Sequence, residues 1–310
     1  MARALTRLGF VAALVCACSP YPTAPGLMVT PPDPTRAGVL GFDGPRGAAA
    51  VDFTAQARVT DALKVQVVFP ARVDGSLEAE SAPYPAVVFV QDAAVSRGRY
   101  RWLAAHLATR GYVVILPDHP FNLAMLDADH AVLALRAVRD AAAETGTLRG
   151  AIDPSALAAV MGHGLGGVVA ARQWAHYTDF SAVAVLAAYP ADADYDAIRA
   201  RRGAHALLMA GTADVPTALT RVQGAFTTVF EDPKLYAQVD ALNHFAWTDD
   251  PTNDELTSDG PRPPTADARA ETRRDALTVL DLWLDSVLRR DADATMSLAT
   301  GTFHNVTLLR

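Results

Sequence analysis

The sequence predicts a single-domain α/β fold in which helices flank a mostly parallel central sheet. Three observations lead to this prediction. Five short apolar runs are nearly continuous, as is typical of parallel strands buried on both faces. Amphipathic segments alternate with these runs, and that order favours right-handed crossovers. The chain has 310 residues, which is long enough to bury a core of this size.

The strands are predicted in chain order. Residues 51–59 and 63–69 alternate polar and apolar side chains, which predicts antiparallel edge strands with one face exposed to solvent. The parallel strands follow at residues 86–90, 112–116, 156–161, 182–187 and 206–210. Residues 236–242 have the composition of a last strand.

The helices are predicted between these strands, at residues 99–110, 128–144, 165–176 and 216–224. The first of them stops at Gly111, a residue type common just after a helix end. A long terminal helix is predicted at residues 266–290, where leucines recur on one stripe.

The N-terminus has the features of a processed export signal. Arg3 and Arg7 precede a short apolar stretch, which is too short to span a bilayer as a mature helix. Ala17-Cys18 then resembles the end of a bacterial lipobox, which predicts a lipoprotein signal peptide at residues 1–18 with the lipid on Cys18. An ordinary secreted protein and an uncleaved anchor are the alternatives.

The rest of the chain divides into three parts. Residues 19–48 are rich in Pro and Gly and predict a flexible tether. Residues 49–290 form the predicted domain, and residues 291–310 a loosely held tail. We therefore expect a lipid-anchored protein of the bacterial cell envelope, facing the periplasm or the surface, with the membrane as a partner through its N-terminal lipid.

Composition excludes two classes of function. The chain carries 27 basic and 34 acidic residues and has no basic run, so nucleic acid is not an expected partner. Both cysteines lie at or before position 18, so the mature domain has no cysteine for catalysis or disulfides. No cofactor and no metal ion are expected.

The most informative motif is MGHGLGG at residues 161–167. A nucleophile elbow has the pattern Gly-x-Ser-x-Gly between a buried strand and a helix, and its sharp turn lifts the serine hydroxyl above the sheet. This chain has the glycine frame, but Gly164 stands at the serine position. Glycine adopts the strained turn without penalty and supplies no nucleophile.

Five stretches together resemble α/β-hydrolases of the platelet-activating-factor acetylhydrolase, chlorophyllase and dienelactone hydrolase type. The resemblance covers about residues 42–290 and implies an α/β-hydrolase fold. The stretches are YPAVVFV at 84–90, LAAHLATRGYVVILPDH at 103–119, IDPSALAAVMGHGLGG at 152–167, LLMAGTAD at 207–214 and LNHF at 242–245.

The resemblance also implies roles for residues of this chain. Relatives use a Ser–Asp–His triad in that chain order, which assigns Asp214 as the acid and His244 as the base. Since His244 follows the last strand in a loop, we expect it to be partly exposed. The two oxyanion-hole N–H groups would belong to Leu165 and Ala93.

A second departure from the family pattern lies in the loop that would supply the other oxyanion donor. The loop that usually begins His-Gly reads Gln91-Asp92, which adds a carboxylate near the place where an oxyanion needs donors. Together with His163, these two side chains are the candidate binding residues for a small ester-like or lipid-like ligand.

Three functions follow from these observations. The first is a pseudo-hydrolase that binds a ligand or hydrolyses esters poorly. The second is a serine-independent carboxylic-ester hydrolase in which His244 activates water. The third is a scaffold or interaction module. The sequence leaves open whether the protein is an enzyme.

Overall fold

The computed structural model describes residues 27–30, 35, 39–58, 61–127, 129–249 and 266–310. Ten strands of this part of the chain form a single sheet. They are β1 Leu27–Thr30, β2 Gly47–Arg58, β3 Asp61–Ala71, β4 Ala86–Val90, β5 Val113–Pro117, β6 Ala158–His163, β7 Phe180–Leu186, β8 His205–Gly211, β9 Lys234–Val239 and β10 Val306–Leu309. Their spatial order is β1-β2-β3-β5-β4-β6-β7-β8-β9-β10.

Helices cover both faces of the sheet in the described residues. They are α1 Arg101–Thr109, α2 His130–Ala143, α3 Leu165–His176, α4 Tyr195–Arg199, α5 Leu219–Thr228, α6 Ala266–Leu288 and α7 Ala292–Thr300. Side chains of α2, α3 and α5 pack into one apolar core, and those of α1, α6 and α7 into a second core on the opposite face. The predicted α/β architecture with a mostly parallel sheet is therefore confirmed.

The central strands place four loops at one edge of the sheet. Strands β5, β4, β6, β7, β8 and β9 run parallel to one another, so their carboxyl ends point the same way. The loops that follow β4, β6, β8 and β9 carry Asp92, Gly164, Asp214 and His244. A doubly covered parallel sheet binds ligands at this edge.

Two predictions about the ends of the sheet differ from the structure. Residues 27–30 lie in the predicted tether but form β1, which pairs antiparallel with β2. The predicted tail contains α7 and β10, and β10 pairs antiparallel with β9. Strands of four residues carry little periodic signal, and the backbone hydrogen bonds of the neighbouring strand supply their order.

The outermost strands are therefore not those expected. We expected β2 and β3 at the edge, but β1 pairs with β2, and β3 lies between β2 and β5. The predicted signal peptide and Cys18 lie outside the described residues. In the part of the chain that the structure describes, no helix is both long and apolar enough to cross a membrane.

Candidate active site

The turn between β6 and α3 has the geometry of a nucleophile elbow. Gly164 adopts φ 54° and ψ −127° between the last residue of β6 and the first of α3. A Cβ atom on Gly162 would lie 2.1 Å from the carbonyl oxygen of Gly166, so the close approach of strand and helix also requires glycine. The elbow is thus intact in its backbone while it lacks a nucleophilic side chain.

The Asp92 carboxylate fills the space above Gly164. A Cβ atom added to Gly164 would lie 2.1 Å from Asp92 Oδ1 and 2.2 Å from its Cγ. Real Cβ atoms essentially never come this close to another heavy atom, so the two positions exclude one another sterically. The carboxylate therefore occupies the place where an elbow side chain would begin.

The same carboxylate engages both predicted oxyanion donors. The backbone N–H groups of Leu165 and Ala93 each donate to Asp92 Oδ1, at 2.7 Å. Two charge-assisted hydrogen bonds to one oxygen satisfy the donors that the sequence resemblance assigns to a substrate oxyanion. Asp92 is 8% exposed, so water competes poorly for these donors.

Asp214 and His244 form a hydrogen-bonded pair. His244 Nδ1 lies 3.1 Å and 3.2 Å from the two carboxylate oxygens of Asp214. Asp214 is held in turn by the Thr217 N–H, which donates to Asp214 Oδ1 at 2.8 Å. His244 begins a short 3-10 helix and is 5% exposed, so the expected partial exposure was wrong. The ring can be buried because each of its nitrogens lies beside a carboxylate, Asp214 at Nδ1 and Asp92 at Nε2.

The second nitrogen of His244 faces Asp92. Its Nε2 lies 3.1 Å from Asp92 Oδ2, so one imidazole bridges two carboxylates. Burial alone would lower the pKa of His244, but the hydrogen bonds and charges of Asp214 and Asp92 outweigh it and raise the pKa to about 9. Burial would raise the pKa of Asp92, but the hydrogen bond from His244 and its positive charge hold the pKa below its usual value.

His163 lies against His244, and Gln91 contacts His119. The rings of His163 and His244 are 4.6 Å apart between centroids. Burial lowers the pKa of His163 to about 3, so its imidazole is neutral. Gln91 instead places its Oε1 3.2 Å from His119 Nδ1. Of the three predicted binding residues, Asp92 and His163 both lie against His244, while the Gln91 side chain contacts His119.

Two residues of the site had not been predicted from the sequence. The Tyr100 hydroxyl oxygen lies 2.9 Å from His163 Nδ1 and accepts the Asp92 N–H at 3.1 Å. The Thr217 hydroxyl donates to the carbonyl of Ala187, which fixes it beside His244. Neither belongs to a motif, and both reach the site through packing of neighbouring elements.

The arrangement thus combines a buried acid–histidine pair with a third charged group. Asp92, His163 and His244 form the one group of potential metal-ligating side chains found within the described residues. Without a serine hydroxyl, the Asp214–His244 pair has no nucleophile to activate at Gly164. Ser155, the nearest serine in sequence, precedes β6 and so lies at the other end of that strand.

Comparison with known proteins agrees with the architecture. The sequence model of the alpha/beta hydrolase family matches residues 86–249, which contain all the site residues described above. A search of curated proteins finds no match. Because the family model covers more than half of the chain and the sheet order and elbow agree with it, the chain belongs to the alpha/beta hydrolase family.

Proposed function

We propose that this chain is a pseudo-hydrolase: it keeps the fold and the Asp214–His244 pair, binds a ligand at this site, and hydrolyses esters poorly or not at all. One observation carries the proposal, namely the position of the Asp92 carboxylate. It takes both oxyanion donors, Leu165 N–H and Ala93 N–H, at 2.7 Å. It also fills the space above Gly164. The missing nucleophile and the occupied oxyanion donors both oppose ester hydrolysis at this site.

The protonation of His244 opposes hydrolysis by activated water. A general base must be unprotonated at the working pH. The pKa of His244, raised to about 9 by its two carboxylate partners, leaves the imidazole protonated near neutrality. The proton that water would have to lose has no free acceptor on this ring, so a binding role fits the site better.

Apolar side chains beside the site support a small ester-like or lipid-like ligand. Leu165 is 42% exposed next to the elbow, and Val215 is 65% exposed next to Asp214. The segment after β5 adds Phe121, which is 85% exposed at φ 54°. The carbonyl of Asn122 in this segment accepts the Ala94 N–H at 2.9 Å, which ties the segment to the Asp92 loop. Exposed apolar groups beside a site are typical of ligand-binding surfaces, which favours a ligand-binding protein over a scaffold that binds none.

Activity-based labelling tests this function. The purified chain is treated with a fluorophosphonate probe and assayed with p-nitrophenyl acetate, beside the double variant Gly164→Ser/Asp92→Gly. We expect no labelling of the wild type, because position 164 has no hydroxyl. We expect labelling at position 164 in the double variant, because the backbone of the elbow, the Asp214–His244 pair and both freed N–H donors remain.

Two results would contradict the pseudo-hydrolase. Stoichiometric labelling of a serine in the wild type would reveal a relocated nucleophile. Ester hydrolysis by the wild type that disappears in His244→Ala, while the variant keeps the circular dichroism spectrum of the folded protein, would support the water-activation mechanism instead.

We further propose that the protein is anchored to the cell envelope by a lipid on Cys18. The support is the sequence alone: Arg3 and Arg7, the short apolar stretch and Ala17 before Cys18. Cys18→Ser should release the protein from the membrane fraction or block its maturation. Cys16→Ser is the matched control, since it removes the neighbouring thiol and should fractionate like the wild type. Equal partitioning of all three proteins would exclude the anchor.

A further inference from the structure

The cluster at the elbow brings together three buried side chains of the kinds that ligate transition metals. Asp92, His163 and His244 each offer one ligand atom, and these atoms lie within 4.8 Å of one another. We propose that this cluster binds one divalent transition-metal ion of the Zn²⁺ type. The proposal rests on the proposed function in one respect, that the site binds rather than cleaves through a serine, and it names a ligand for that site.

The distances suit a small ion. Asp92 Oδ2 and His244 Nε2 are 3.1 Å apart. Two ligands of a tetrahedral ion, each at about 2.0–2.1 Å, are separated by about 3.3 Å. The contact between these two atoms is therefore already at ligand spacing. His163 must approach by at most about 1.5 Å to complete the set.

The remaining nitrogens have the partners that metal-bound histidines require. A ligating histidine directs its other ring nitrogen to a carboxylate or another polar group, which fixes its tautomer and orientation. His244 directs Nδ1 to Asp214 at 3.1 Å, and His163 directs Nδ1 to the Tyr100 hydroxyl at 2.9 Å. Both rings thus present Nε2 towards the cluster.

Burial supplies a second, independent reason to expect a ligand. His163 is 0% exposed, and its Nε2 has no hydrogen-bond partner among the residues that the structure describes. A buried polar atom without a partner is costly, and coordination to a metal would satisfy it. A bound Zn²⁺ ion would replace the proton on His244 Nε2, and its two charges would balance the Asp92 and Asp214 carboxylates.

Three protein ligands leave one position of a tetrahedral ion open. An open position is the feature that distinguishes reactive or ligand-binding zinc sites from closed structural ones. Leu165, whose N–H donates to Asp92, is 42% exposed, so this position would be reached from the carboxyl edge of the sheet beside Leu165. A polar group of the proposed ligand would meet the metal there.

Metal titration of the full-length, untagged chain tests the proposal. Isothermal titration with ZnCl₂ should give one site per chain, and CoCl₂ should give the visible absorption of a four-coordinate ion. Asp92→Asn and His163→Gln should each weaken binding at least tenfold. Tyr100→Phe should weaken it about 10- to 100-fold by loosening the orientation of His163. His304→Gln is the matched control, because this exposed histidine lies near Asp275 and Glu271 and should leave binding unchanged.

X-ray absorption of the zinc-loaded wild type keeps the test decisive even where a variant fails to fold. We expect nitrogen and oxygen ligands at about 2.0–2.1 Å. A sulfur shell at about 2.3 Å would assign the zinc to Cys16 and Cys18 and overturn the proposal. Absence of binding, or binding lost in His304→Gln but kept in His163→Gln, would overturn it too. None of these outcomes alters the labelling result that tests the pseudo-hydrolase.

Discussion

Asp92 and Gly164 complement each other at the residue scale. The carboxylate can lie over the elbow because position 164 has no Cβ, and it is held there by two N–H donors and His244. Conversely, the positive φ of Gly164 costs glycine little but would strain any other residue. The two departures from the hydrolase motif are therefore one structural feature.

This complementarity predicts that the effects of Gly164→Ser and Asp92→Gly on stability are coupled. In the wild-type background the new Cβ would lie 2.1 Å from Asp92 Oδ1, so the carboxylate must leave its donors. We expect Gly164→Ser to lower the free energy of unfolding by about 1–3 kcal/mol. In the Asp92→Gly background the clash is absent, and the cost should fall by at least about 1 kcal/mol.

Urea unfolding of the four proteins in this cycle measures the coupling. Gly224→Ser is the control, because a Cβ atom there meets nothing within 4 Å. Additive costs would show that Asp92 does not occupy the space above Gly164.

His244 is also predicted to stabilise the folded state. His244→Ala removes the cation between Asp92 and Asp214 and leaves two buried carboxylates without it. Removing one partner of a buried ion pair typically costs about 3–5 kcal/mol. Urea unfolding at neutral pH should show this loss, whereas His304→Ala at an exposed pair should change stability by less than about 1 kcal/mol. A cost for His244→Ala as small as the control's would contradict the buried bridge.

At the scale of elements, a buried polar network joins the N-terminal segment to two helices. Asp281 of α6 is 0% exposed and accepts the Gly41 N–H at 3.0 Å. Its other oxygen lies 2.9 Å from His106 Nε2 of α1, and Arg110 Nε lies 3.2 Å from the same carboxylate. Residues before β2, assigned from the sequence to the tether, are thus fixed to the domain.

Asp281→Ala is expected to be strongly destabilising for this reason. It leaves His106 and Arg110 buried without their shared carboxylate, at a cost of about 3–5 kcal/mol. It should also speed amide hydrogen exchange at Gly41, whose N–H loses its acceptor. Asp196→Ala is the control, since that side chain is fully exposed. Unchanged exchange at Gly41 would show that the segment is held by other contacts.

At the scale of the whole molecule, four buried histidines divide into two opposing pairs. Burial tends to lower the pKa of all four. In His106 and His244 the neighbouring carboxylates outweigh it and raise the pKa to about 9. In His119 and His163 burial prevails and lowers the pKa to about 3. The free energy of unfolding should therefore fall both when the pH is lowered and when it is raised.

The predicted profile has its maximum near pH 6.5, the ordinary histidine pKa. His106 and His244 stabilise the fold fully below that pH, and this stabilisation is lost as the pH rises towards 9. His119 and His163 stay neutral in the folded chain, so the unfolded chain gains protons, and stability falls, as the pH drops below about 6.5. The shift of each histidine corresponds to roughly 3–5 kcal/mol at most.

Urea unfolding at pH 5, 6.5 and 9 measures this profile, at values chosen to lie around the ordinary pKa of about 6.5. His106→Gln should flatten the alkaline side, because its raised pKa accounts for part of that loss. A free energy of unfolding that keeps rising to the alkaline end would contradict the assignment of both raised histidines.

The sequence by itself determined the α/β class, the central strands and the elbow. Their signals are local: apolar runs such as β4, predicted at residues 86–90 and found at Ala86–Val90, and a glycine pattern that few other folds require. It also placed Asp214 and His244 in order along the chain. The edge strands β1 and β10 were missed because four residues have too little periodicity to reveal a strand that forms by pairing.

Only the tertiary structure decided which side chains contact one another at the site. From the sequence, Asp92 was a charge somewhere near the oxyanion hole, and His244 a partly exposed loop residue. In the fold, the carboxyl ends of β4, β6 and β9 converge, so Asp92 reaches across 72 residues to Gly164 and across 152 to His244. Tyr100 joins them from the start of α1. Contacts between residues so far apart in the chain depend on strand order and helix packing, which no local pattern encodes.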